Sequence, residues 1–83
     1  MTFDEATARI VGHARSSGGT VSAAQVEADE ALSAERELVS AAARALAGGT
    51  NVVSAQESDG REWFPYSSLT FSGLGATRSR SRG

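Results

Sequence analysis

The chain has 83 residues, enough for one hydrophobic core, and contains no cysteine. That absence excludes disulfides, thiolate nucleophiles and the common structural zinc sites, and it suits a reducing compartment such as the cytoplasm. The formal charge is −2, but three of the eight basic residues, Arg78, Arg80 and Arg82, stand at the far end, which leaves residues 1–72 at −5. A body that acidic does not attract phosphate by itself.

Thr2 and Glu5 form a capping-box pair, so a helix is expected to start here. Phe3, Ala6, Ile10, Val11 and Ala14 follow at helical spacing on one face, and Ser16, Ser17, Gly18 and Gly19 supply the stop. Thr20 and Val21 favour a short strand before a second capping box, Ser22 with Gln25. Between Ser22 and Ala47 there is neither Gly nor Pro. Ser33, followed by Glu35 and Glu37 and later by Arg44, matches the helix dipole and predicts a fresh start there, hence two helices. In the later helix Leu38, Ala42, Ala45 and Leu46 share a face with Val39 at its edge, while Arg36, Ser40 and Arg44 point the opposite way. Ala41, Ala42, Ala43 and Ala45 permit close helix approach, internally or to a partner, and Gly48 and Gly49 end the helix.

Thr50 to Gln56 and Arg61 to Tyr66 flank Asp59-Gly60, which predicts a β-hairpin. A three-residue loop with Gly60 left-handed sets Glu57 opposite Arg61 and avoids the Glu57–Glu62 contact of a two-residue loop. Pro65 belongs at the strand end or an edge. Leu69 and Phe71 are expected to fold back over the core as an extended segment. From Gly73 the chain is Gly, Ser, Thr and Arg with little apolar area, so residues 73–83 read as a disordered tail and 1–72 as the domain.

The element order, with the Thr-Val before the second helix, the Ser33 start, the Leu46 to Gly49 exit and the Asp59-Gly60 bend, resembles the winged helix-turn-helix fold over Thr2 to Tyr66. The expected class is mainly α with a small antiparallel β-hairpin: three helices plus a wing. The resemblance implies a third helix used for recognition and a hairpin used as a wing, most often on DNA.

Catalytic chemistry is not expected. His13, the one histidine, sits beside Arg9 at i,i+4 as a partly exposed helical residue, and the carboxylates read as helix-start and helix-face groups. The Gly-Gly pairs lack the Lys-Ser/Thr of a phosphate loop. No metal or cofactor is implied, no run approaches the roughly 18 apolar residues of a membrane span, and no secretory signal is expected from Met1 to Glu5. Two kinds of partner remain. For DNA the candidate contacts are Arg36, Ser40 and Arg44, Arg61 on the wing, and Arg78, Arg80 and Arg82 in the tail, and a homodimer would double the arginines presented. For a protein partner they are Trp63 with Glu57, Asp59 and Glu62 on an acidic wing, since an exposed Trp is a frequent interface anchor. Packing of Trp63 near Leu69 and Phe71 would instead return it to the core.

Overall fold

In a computed structural model that describes residues 1–72, the Thr2 hydroxyl accepts the Glu5 N–H at 3.1 Å and the Glu5 carboxylate accepts the Thr2 N–H at 2.8 Å. This box opens α1 (Phe3–Ser16), which buries Ala6, Ile10 and Ala14. Phe3 lies on the same angular face but in the terminal turn, and contrary to expectation it is 43% exposed. The helix closes where Gly18, at φ +76°, turns the chain back so that the Gly19 N–H reaches the Ala14 carbonyl at 2.7 Å. The expected short strand follows as β1 (Thr20–Ser22), and the Ser22–Gln25 box opens α2 (Ala23–Ala28) as expected.

The run from Ala23 to Ala47 breaks twice, giving three helices in place of two. Asp29 ends α2 and caps α3 (Glu30–Ser33), its carboxylate accepting the Ala31 and Leu32 N–H groups at 3.0 and 3.4 Å. Ser33 is therefore not a helix start. It closes α3 and its hydroxyl donates to the Glu27 carbonyl at 2.8 Å. Helix α4 (Arg36–Ala47) begins after Glu35, which makes no side-chain cap. The ionised Asp29 offers the orphan N–H groups a stronger acceptor than the Ser33 hydroxyl does. On α4 the buried residues are Val39, Ala42 and Ala43, with Leu38 and Leu46 half-buried and Ala45 exposed, so the inward face is rotated toward Val39 relative to expectation. The small Ala42 and Ala43 lie on the side of α4 that packs into the core alongside α1.

Strands β2 (Val52–Glu57) and β3 (Tyr66–Phe71) complete an antiparallel sheet of order β1-β3-β2. The expected register is overturned: Glu57 pairs with Tyr66, not Arg61, and the ribbon is joined by residues 58–65. The Ser58 N–H closes that loop on the Pro65 carbonyl at 3.0 Å. Asp59-Gly60 does turn the chain, with Gly60 at φ +97° and the Arg61 N–H on the Asp59 carboxylate, but inside the loop rather than between strands. Phe64 leaves the ladder because it is the largest fully buried side chain of the core, where it lies with Ile10, Leu32, Leu69, Val21, Val26 and Val39. Pro65 stands immediately before β3, the strand-end position expected of it. Leu69 and Phe71, expected as a covering segment, instead belong to the central strand and are buried in the core. Thr20, Thr70 and Ser54 form one cross-strand row and Ser22, Ser68 and Gln56 the next, an uncharged outer sheet face on which the Thr20 and Thr70 hydroxyls meet at 3.0 Å. The result is a small α+β domain of four helices and a three-stranded antiparallel sheet. Among the described residues no helix is long and apolar enough to cross a membrane.

Asp29 also ties α1 to the α2–α3 junction. Its Oδ2 accepts Arg9 Nε at 3.1 Å and His13 Nε2 at 2.9 Å, and its Oδ1 accepts Arg9 Nη2 at 3.3 Å. An ionised carboxylate only accepts, so His13 carries its proton on Nε2 in this contact. Partial desolvation pushes the Asp29 carboxyl upward, but the bonds from Arg9, His13 and the Leu32 N–H outweigh it and hold the group at about 2, below its ordinary 3.8. With the folded value depressed, the stabilisation is complete above pH 4 and is lost as pH falls toward 2. Arg9 is half in solvent, which screens the gain to on the order of 1–2 kcal/mol. Asp29→Asn keeps a capping residue while removing the charge, so it should lower stability at pH 7 by that amount and flatten the acid limb of a denaturation series between pH 4 and 2. Gly18→Ala meets no neighbouring atom, since nothing lies within 4 Å of an added Cβ. Its expected cost, about 1 kcal/mol in urea unfolding, is that of the left-handed backbone alone.

Candidate functional site

Residues 36, 40 and 44 recur once per helical turn, so an α-helix stacks them in a row. On α4 that row is Arg36, exposed, Ser40, half-buried, and Arg44, exposed, bordered along one edge by Val39 and Ala43, which with Ala42 anchor the helix in the core. Together with Glu37 the three line one shallow groove of about 310 Å³. Arg36 and Arg44 are exposed, as expected of an outward row, whereas Ser40 between them is half-buried.

Among the described residues, neither Arg36 nor Arg44 has a carboxylate within 4.0 Å; the ion pairs there involve the N-terminus, Arg9, His13 and Arg61. Arg36 is held otherwise. Its guanidinium carbon lies 5.5 Å from the centre of the Trp63 ring, a cation–π contact that joins the start of α4 to the 58–65 loop. Trp63 in turn meets Phe64 edge-on, with ring centres 6.0 Å apart at 88°, and Phe64 meets Tyr66 at 6.3 Å and 71°. Trp63 is half-buried against the core, closer to a packing residue than to a free anchor.

The other wing residues are committed locally. Arg61 lies 3.8 Å from the Asp59 carboxylate, both exposed, so its charge is partly neutralised. Glu62 accepts from the Ser58 hydroxyl at 2.7 Å, Asp59 accepts the Arg61 N–H, and Glu57 ends β2 opposite Tyr66. These acidic groups shape the loop, and the Glu27 carboxylate adds a bond from the Phe64 N–H at 3.4 Å. Arg78, Arg80 and Arg82 lie outside the described residues.

A second groove, of about 620 Å³, runs along α1 and includes Ala8, Arg9, Gly12, His13 and Asp29. Arg9 and His13 are spent on Asp29, and Glu5, which also lines the groove, is spent on the Thr2 N–H. Among the described residues no three His, Asp or Glu side chains converge as a metal ligand set.

Two contacts escaped the sequence reading. Asp29 gathers Arg9 and His13, and the only sequence sign was the i,i+4 spacing of the two donors on α1. The Arg36–Trp63 contact joins residues far apart in the chain and left no local sign at all. Comparison with protein-family models, with curated proteins and with solved structures finds no match for this chain.

Proposed function

We propose that this chain is a winged-helix module that binds DNA, with α4 as the helix that meets the duplex and residues 58–65 as the wing. The observation that carries the reading is the row Arg36, Ser40 and Arg44 along α4, two exposed arginines flanking a hydroxyl, neither with a carboxylate within 4.0 Å among the described residues. The β1-β3-β2 sheet following a helix, a strand and further helices supports it, as does the contact between the wing and the first turn of α4. Arginine suits both phosphate oxygens and guanine edges. The role is binding rather than catalysis, in a reducing compartment such as the cytoplasm.

Affinity should be modest. Residues 1–72 carry −5, and non-specific binding rests on the number of phosphates neutralised. With Arg36, Arg44 and part of Arg61 available, the log–log salt slope should be roughly −2 to −3. Fluorescence anisotropy on random duplex DNA at low and then moderate salt is the test, and no binding at micromolar protein in low salt rejects the reading. Arg44→Ala should weaken binding to every sequence and make the slope less steep by about one. Deleting Arg78 to Gly83 should also weaken it if the tail arginines take part, whereas unchanged affinity would assign DNA contact to the folded part alone. A homodimer would double the arginine rows and steepen the slope accordingly.

The net charge of −5 favours a second reading, a protein-interaction module that uses the acidic end of β2 and the wing. Glu57→Arg, at an exposed strand end, should then disrupt capture of a basic protein partner without improving or abolishing folding. Under the DNA reading the same change should instead tighten DNA binding.

A further inference from the structure

We infer that Trp63 is a positioning residue for Arg36, holding its guanidinium ready for a phosphate group while leaving its hydrogen-bond donors unspent. This rests on the DNA reading above and specifies how one of its contacts is prepared. The three arginines with partners show the contrast. Arg9 spends Nε and Nη2 on Asp29, and Arg61 lies beside Asp59, so part of their donor capacity is already used. Arg36 sits over an indole ring, whose attraction for a cation consumes no hydrogen-bond acceptor. Among the described residues no carboxylate pairs with its N–H groups, which leaves them to an anion.

The platform itself is fixed. Trp63 packs edge-on against Phe64, which is fully buried, and the loop that carries both is closed by the Ser58–Pro65 backbone bond. Arg36 is the first residue of α4 and is exposed, so without the ring its long side chain would sample many rotamers and lose that freedom on binding. Among the described residues no carboxylate stands within 4.0 Å to do the holding, although Glu37 lines the same groove. A guanidinium confined beforehand binds phosphate at lower entropic cost, which makes the aromatic side chain of the wing part of the α4 surface.

The experiment is a cycle of Arg36→Met, Trp63→Leu and the double variant, titrated with random duplex DNA at low salt after thermal melts establish folding. Each single change should weaken binding about three- to tenfold, with the double variant no weaker than Arg36→Met alone. Trp63→Phe, which keeps an aromatic face, should restore most of the affinity. Wild-type affinity in Trp63→Leu, or single effects that multiply in the double variant, overturns the inference. Should Trp63→Leu fail to fold, the wild-type protein decides: the Arg36 Nε–Hε resonance should be shifted upfield by the ring, free and DNA-bound, relative to that of the exposed Arg15. An unshifted Arg36 overturns the inference. Failure of the wild type to bind DNA overturns the DNA reading instead, and the resonance still reports on the Trp63 contact separately.

Discussion

Burial of Phe64 is the constraint on which most of the tertiary arrangement turns. A domain of this size has few large apolar side chains, and Phe64 is the largest that is completely enclosed. It comes from a loop, not from a strand. Its side chain can reach the centre only if residues 58–65 stay out of the sheet ladder, and that displacement moves the second strand of the ribbon to Tyr66–Phe71. A buried aromatic contributes several kcal/mol, more than the tenths gained by one favourable cross-strand charge pair, so packing decides the register.

The same anchoring organises the surface. Because Phe64 is fixed, Trp63 beside it is fixed, and Arg36 lies over its ring. The core therefore reaches the outer side of α4 through two aromatic side chains. Asp29 plays the corresponding part at the α2–α3 junction, where one carboxylate caps α3 and binds α1 through Arg9 and His13. In both places a cation is held by a group from a distant segment, but only at Trp63 does the holding leave the donors free.

Charge distribution bears on how such a surface would be used. The acidic residues Asp59 and Glu62 are engaged within their own loop, while Arg36 and Arg44 are exposed and have no carboxylate partner among the described residues. Net charge of −5 over residues 1–72 thus coexists with a short cationic row on one helix. Local potential at that row, rather than the total, governs a close contact, whereas the total governs approach from a distance.

The residues by themselves determined the elements whose signals are local. The Thr2–Glu5 and Ser22–Gln25 boxes, the Gly18-Gly19 stop, the strand at Thr20 and the outward row of Arg36, Ser40 and Arg44 all depend on groups a few positions apart, where helical or turn geometry leaves little choice. The expected break within residues 23–47 was real but misplaced, because Ser33 looks like a cap and the ionised Asp29, held in place by Arg9 and His13, is the stronger acceptor. Only the tertiary structure decided the strand register, the central place of Leu69 and Phe71, and the seat of Trp63 on Arg36. Period-two alternation is compatible with several pairings, and the choice among them is made by which distant apolar side chains fill the core together.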